Sequence, residues 1–455
     1  MTSRRRTGLL VAAVVVLLVI AGVGGYAYAR WAGAADEASA GPSRPAAARP
    51  TPLAALTTDA PTPGADGLAA ALAPALANPD LGVLTGQITD AATGDVLWRR
   101  DADVAQTPGS VTKVLTAAAA LLVLSPAHRI PTTVVPGAAP GELVLVGGGD
   151  PTLTAQPAGE DGYYTDAPRL DDLVEQIVAS GIPVRSLLVD DSLFGQPSMA
   201  EGWLTVDIAG GSIAPIESVM LDGGRQPPLV DYSPRTATPA LDAGRTLAQR
   251  LGLDPGTVAL GTAPTTAEPI ATVWSAPLSV RLHQMMVQSD DVTAETIGRE
   301  IARAAGKPAT FEGTVAAVTD AVSASGIDVS GLVLRDASGL STEDRIPARL
   351  LDDVLTAATG DGDAADELRP LVDDLAVGGG SGTLWDRFVS PSPGAGWVRA
   401  KTGTLDFVNA LAGIVTDVDG RALTFTLMST GTPSAVAKPA LDAVAVTLRE
   451  CGCRQ

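Results

Sequence analysis

The amino-acid sequence predicts an α+β fold in which strands from both ends of the chain join in one antiparallel sheet flanked by helices, with an inserted α/β unit and a preceding apolar helix. Alternating apolar residues around turn signals, near Leu81 and again after Gly396, mark half-buried strands. A run from Val111 to Leu124 is apolar on every face and marks a helix buried at a domain centre. Between them the chain changes to short apolar stretches punctuated by glycine. A length of 455 residues suits two or three such compact units.

Taken in order, Arg4-Arg5-Arg6 precedes an apolar run of 21 residues, Leu9 to Ala29. At about 1.5 Å of helix per residue this just crosses a hydrocarbon core of roughly 30 Å. The arginines then place residues 1–8 in the cytoplasm and the rest outside, on a single-pass transmembrane anchor at 9–29. Ala27-Tyr28-Ala29 also fits a signal-peptide cleavage site, which would make the protein secreted. Residues 30–66, rich in Ala and Pro, read as a tether.

The pattern beyond predicts a helix at Gly67–Ala77, a strand at Leu81–Thr89, a Gly-Asp turn, and a strand at Val96–Arg100. Pro108 and Gly109 interrupt before the buried helix. The middle unit, 141–269, carries strands around Leu143 and Val184–Asp190 with a helix at Leu170–Ser180. Helices follow at Ser279–Val287, Val292–Ala305 and Thr314–Ser325. Strands then follow at Gly396–Thr404, Val408–Val415 and Ala422–Met428, and a helix at Ala435–Arg449. Residues 67–140 and 270–455 thus form one domain around a five-stranded sheet, with 141–269 inserted.

A net charge of -20 argues against nucleic acid as a partner, because phosphates would be repelled. The six basic residues up to Leu56 leave 25 bases and 49 acids downstream, so the exported part is more acidic still. Scarcity says more. With two histidines, His128 and His283, a Ser-His-Asp triad has few candidates, and both histidines read as structural. Cys451 and Cys453 are too close to staple a fold. They read as a frayed terminus, with an intermolecular disulfide or a redox role as the alternative. Asp150 and the Asp190-Asp191 pair read as turn residues rather than metal ligands. Trp203, Trp274 and Trp397 read as packing residues, with sugar stacking as the alternative.

Lysine occurs only at 113, 307, 401 and 438, so a lysine inside a motif carries unusual information. Ser110-Val-Thr-Lys113 puts a hydroxyl and an amine on one helix face, where the amine can serve as base if burial favours its neutral form. The helix N-terminus adds backbone N–H donors for an oxyanion. Lys401-Thr402-Gly403 lies in an apolar strand, and the glycine leaves room for another backbone alongside. Such an edge can take an extended peptide by strand addition, with Lys401 and Thr402 on a terminal carboxylate. Ser289-Asp290-Asp291 sits at a helix–helix junction, and taken alone reads as an N-cap.

In order, these are Ser-x-x-Lys, Ser-x-x and Lys-Thr-Gly, the set found in penicillin-binding proteins and class A β-lactamases. The chain resembles the low-molecular-mass class C penicillin-binding proteins, the serine D-alanyl-D-alanine carboxypeptidases. Further stretches carry the likeness: Leu145-Val-Gly-Gly-Gly-Asp-Pro-Thr-Leu153, Val189-Asp-Asp191, Arg335-Asp-Ala-Ser-Gly-Leu-Ser341 and Ser381-Gly-Thr-Leu384. It runs from about Leu81 to Met428. The resemblance implies a β-lactamase/transpeptidase-like fold and an acyl-enzyme route needing no cofactor and no metal. It implies Ser110 as nucleophile, Lys113 as proton acceptor and Ser289 as proton relay. Asp291, Lys401 and Thr402 would contact substrate, and the N–H groups of Ser110 and Thr404 would form the oxyanion hole. Partners would be a peptidoglycan stem peptide ending in D-Ala-D-Ala, and β-lactams as covalent inhibitors.

Two features depart from the family. Asp291 stands where Asn is usual. A carboxylate donates no amide hydrogen bond, and when ionised it favours the protonated form of the Lys113 amine, which predicts altered activity. Ser110 and Ser289 are 179 positions apart, room for one insertion where the family often has two. The reading is a membrane-tethered, extracytoplasmic carboxypeptidase, with endopeptidase activity open. A β-lactamase and a weakly active wall-binding scaffold are its rivals.

Overall fold

The computed structural model describes residues 59–453, so the expected anchor and most of the tether lie outside the described residues. Among the described residues no helix is long and apolar enough to cross a membrane. Helix α1 (Ala65–Leu76) leads into the hairpin β1 (Val83–Asp90) and β2 (Val96–Arg100), then a 3-10 turn (Gly109–Thr112) and helix α2 (Lys113–Val123). Strands β3 (Pro131–Pro136) and β4 (Glu142–Val146) follow, then α3 (Leu170–Ala179), β5 (Ser186–Asp190), α4 (Pro239–Arg250), β6 (Ala259–Leu260) and β7 (Ala271–Trp274). Helices α5 (Leu278–Gln288), α6 (Asp291–Ala304), α7 (Phe311–Ala324) and α8 (Ala348–Thr359) come next. Strands β8 (Ala376–Val377), β9 (Val398–Leu405), β10 (Val408–Thr416) and β11 (Ala422–Thr430) and helix α9 (Ser434–Glu450) complete the fold.

The main sheet runs β8-β9-β10-β11-β1-β2, antiparallel throughout. Its seam is the β1–β11 pair, eight residues in register from Val83↔Thr430 to Asp90↔Leu423. Six strands rather than five make it, because Ala376 and Val377 add a two-residue edge opposite Ala400 and Arg399. A strand this short offers no alternation to read.

Both faces of the sheet are covered, and the period of two along each strand divides the core. On β10, Ala410, Ala412 and Ile414 join the cluster formed with α2, α5, α6, α7 and α8. Leu411 and Val415 point the other way, to Leu68 and Leu72 of α1 and Leu441 and Val444 of α9. Full burial of one such side chain contributes roughly 1.5–3 kcal/mol. Helix α2 is buried from Lys113 through Leu121, as its all-round apolar composition requires.

The second sheet runs β6-β5-β4-β3-β7. Its β4, β5 and β6 are parallel, while β3 pairs antiparallel with β4 and β7. Parallel neighbours need crossovers, which α3 and α4 supply. Those helices pack Leu173, Ile177, Ala243 and Leu247 against Leu143, Leu145, Leu187 and Val189. Strands β3 and β7 extend this sheet beyond 141–269. In β3 the prolines occupy the two strand ends, where a missing N–H is tolerated, although in sequence they resemble breakers.

The C-terminal tail differs from a frayed end. Cys451 is buried and disulfide-bonded to Cys453, whose carbonyl accepts from Gly64 N at 2.9 Å.

Candidate active site

The chain folds so that its two motif lysines are both completely buried. An ammonium there needs hydrogen-bond acceptors to offset its lost hydration. Lys113 opens α2, and its Nζ reaches Ser110 Oγ at 3.0 Å, Ser338 O at 2.8 Å and the Asp291 carboxylate. Lys401 donates to Ser289 Oγ at 2.7 Å and to Thr402 O at 3.0 Å. Each lysine thus holds one motif serine. Thr402 Oγ1 donates to Thr383 Oγ1 at 2.8 Å.

Ser110 sits in the 3-10 turn just before α2, not within the α-helix. Strand β9 crosses this turn in close backbone contact. A Cβ on Gly403 would lie 2.4 Å from Pro108 O, and one on Gly109 would lie 3.0 Å from Thr404 N. Gly403 is therefore required by the approach of two backbones, and that approach brings the Thr404 amide beside the turn that carries Ser110. Strand β9 pairs with β10 along its full length, but on its other side only Arg399 and Ala400 meet β8. Among the described residues no strand pairs with Lys401–Leu405 on that side, so a peptide has an edge to join.

The Ser289-Asp290-Asp291 junction serves both readings made from sequence. Asp290 caps α6, its Oδ1 accepting from Thr293 N at 2.8 Å. The residues on either side of the cap reach the two lysines. Ser289 adopts φ +62, a left-handed conformation uncommon for a side chain larger than glycine's. Burial pushes the Asp291 carboxyl above the usual range, and the Lys113 ammonium opposes that rise. The Arg225 guanidinium overcomes the effect of burial at Asp290 and holds that carboxyl well below the usual range.

Ser110, Ser289, Asp291 and Thr404 line one cleft of about 580 Å3. Its far wall comes from the inserted part and includes Asp207, Ser212, Asp231 and Tyr232. Lys113, Lys401 and Thr402 stand behind this surface, holding its hydroxyls and backbone.

The sequence matches the D-Ala-D-Ala carboxypeptidase 3 (S13) family over residues 68–234 and 230–451. The chain belongs to this family. Carboxypeptidase DacB of Mycolicibacterium smegmatis is 50% identical over 463 residues, covering 99% of this chain and 98% of its own. A Mycobacterium tuberculosis carboxypeptidase is 51% identical over 397 residues, 86% of each chain. Among solved structures, penicillin binding protein 4 (dacB) from Haemophilus influenzae superposes with TM-score 0.70 at 21% identity, over 85% of this chain and 99% of its own. That establishes a penicillin-binding-protein 4 fold for this S13 carboxypeptidase.

Several groups that shape the site are not singled out by the sequence, although Ser338 and Asp336 lie in the Arg335–Ser341 stretch that carries the family likeness. Ser338 acts through its carbonyl, on a loop pinned by buried carboxylates. Asp336 accepts from Gly339 N and Ser341 N, both at 2.7 Å, and Glu295 accepts from Ala337 N and Ser338 N at 2.9 and 2.8 Å. The signals in the sequence were the Arg335–Ser341 stretch and Glu295, one helical turn after Asp291 on a buried helix. Thr383 belongs to the Ser381–Leu384 stretch that carried the family likeness.

The remaining expectations fall out simply. His128 and His283 lie against Glu300 and Asp374, at 3.3 and 3.0 Å. Asp150 and Asp190 each accept from a backbone N–H two residues on, as turn carboxylates do. Trp203 is buried and donates to Asp336, Trp397 lies under Arg449, and Trp274 is about half exposed at 53%.

Proposed function

We propose that this protein is a serine D-alanyl-D-alanine carboxypeptidase that trims peptidoglycan stem peptides through an acyl-enzyme, with Ser110 as nucleophile. The contact between Lys113 Nζ and Ser110 Oγ, 3.0 Å, at the wall of a cleft edged by an open strand, carries the reading. A stem peptide lies along β9, and its terminal carboxylate is drawn to the charge of Lys401 and to Thr402 just behind the cleft surface. Ser110 Oγ attacks the penultimate D-Ala carbonyl while its proton passes to Lys113. The oxyanion is held by the N–H groups of Ser110 and Thr404. Collapse breaks the amide bond as the proton held on Lys113 passes through Ser289 to the departing D-Ala amine, and water then hydrolyses the ester, its oxygen going to the new carboxylate and one proton back to Ser110 Oγ. β-Lactams acylate the same hydroxyl. Arg4–Arg6 ahead of the Leu9–Ala29 apolar run supports an extracytoplasmic position on a membrane anchor.

A fluorescent penicillin combined with D-alanine release from a D-Ala-D-Ala peptide tests this. The parent protein takes a persistent label and releases D-alanine, and Ser110→Ala does neither. A label lost within seconds would indicate a β-lactamase. Absence of label on the parent would indicate a wall-binding scaffold.

A further inference from the structure

Outside the reacting groups, one buried cation joins the inserted part to the Ser289 junction. Arg225 has a side chain only 1% exposed, and its Nη2 donates to Asp290 Oδ2 at 2.6 Å. Its other donors are also used: Nη1 bonds Tyr164 Oη at 2.8 Å and Asp222 O at 3.0 Å, and Nε bonds Asp231 O at 3.3 Å. The guanidinium lies over the Tyr163 ring, 3.5 Å from its centroid. A guanidinium so desolvated, stacked and paired is fixed in position rather than merely neutralised.

What it fixes is the middle residue of Ser289-Asp290-Asp291. Asp290 spends one oxygen capping α6 and the other on Arg225, and Tyr164 Oη adds a third contact at 3.1 Å. The flanking residues then have little freedom: Ser289 is held at φ +62 against Lys401, and Asp291 is turned to Lys113. The clamp continues to the cleft wall, because Tyr163 Oη donates at 2.5 Å to the carboxylate of Asp231, which lines the cleft. Gln284 of α5 ties down the same segment, bonding Tyr163 O at 3.0 Å and Thr165 N at 2.9 Å.

We infer that Arg225 is a positioning residue for the carboxypeptidase reaction, supplied by the inserted part, that aims Ser289 and Asp291 through its ion pair with Asp290. The inference rests on the activity proposed above. It gives the insertion a part in turnover beyond forming a cleft wall. A displaced proton relay affects the reaction step more than ground-state binding, so kcat is the sensitive quantity.

The test compares Arg225→Met, Arg225→Lys, Asp290→Asn and the Met/Asn double variant with the parent, using a D-Ala-D-Ala peptide and the rate of labelling by a fluorescent penicillin. Thermal unfolding identifies the folded variants. Arg225→Met and Asp290→Asn should each lower kcat by about tenfold or more with KM within about threefold, consistent with misplacement of a reacting group. Arg225→Lys should recover part of the loss, and the double variant should be no worse than the poorer single one. A folded Arg225→Met with parental kcat, a loss confined to KM, or single losses that multiply in the double variant would overturn the inference. Should Arg225→Met fail to fold, Asp290→Asn decides: parental kcat overturns the inference, and a tenfold loss supports it. A parent that neither labels nor releases D-alanine would instead refute the activity itself.

Discussion

The Asp291 carboxylate meets the same Lys113 Nζ that contacts Ser110 Oγ, the amine that takes the Ser110 proton in the proposed reaction. A carboxylate favours a protonated neighbour, whereas an asparagine keeps an acceptor for the amine, adds an N–H donor and removes the charge. Asp291→Asn should therefore raise kcat on a D-Ala-D-Ala peptide by about threefold or more, since the nucleophile's base is freed. Turnover no faster than the parent's would contradict this account. At this scale rarity made the site readable. Two of four lysines fell at motif spacing, and both are completely buried against motif serines. Ser338 falls in the Arg335–Ser341 stretch that carries the likeness, but its role could not be read there, because it contributes a backbone carbonyl, and any residue type carries one. Arg225 was equally silent, since its contact with Asp290 spans 65 positions and only the folded chain brings the two together.

Between elements, the critical contact is β9 against the 3-10 turn of Ser110. Gly403→Ala would place a methyl 2.4 Å from Pro108 O, which is backbone and cannot swing aside. Strand and turn must separate, carrying the Thr404 amide away from Ser110. The variant should fold yet lose at least about tenfold in penicillin labelling, on the scale of losing one oxyanion donor. Labelling at the parental rate would refute the close-approach argument. The long strands and the apolar helix α2 were legible from period and composition. Helix α8 was not, although Leu350, Leu351, Val354, Leu355 and Ala358 recur at helical spacing. A polar residue breaks that buried face: Asp352 is fully buried, accepting from Thr89 Oγ1 at 2.5 Å and Gln87 Nε2 at 3.2 Å. The buried face therefore looks interrupted in sequence, and only the partners on β1 explain its acid.

Across the whole molecule, buried carboxyls set the response to pH. Burial, reinforced by Asp336, pushes Glu295 up to about 8, and burial pushes Asp352 up to about 7. Each keeps in the fold a proton that the unfolded chain has lost, so its stabilisation is full below the ordinary carboxylate range and fades as pH rises through those values. Asp290 and Glu300, held low by Arg225 and Arg281, behave oppositely but only in acid. The melting temperature should therefore fall steadily between about pH 5.5 and 8.5. A flat or rising profile would show that these acids are ionised in the fold. The joining of strands from before and after the insertion in one sheet was readable, because alternating patterns at Leu81–Arg100 and Gly396–Met428 flank the middle unit. The connection has a further consequence in time. Strand β1 is made well before its partner β11, which follows only after the inserted part and the central helices. Until then β1 presents an unpaired edge, and the loop that must close is long. Ser110 is thus enclosed in its cleft only after β9, β10 and β11 have been made, and a nascent chain carries this hydroxyl through the synthesis of the whole inserted part without the strands that complete its surroundings.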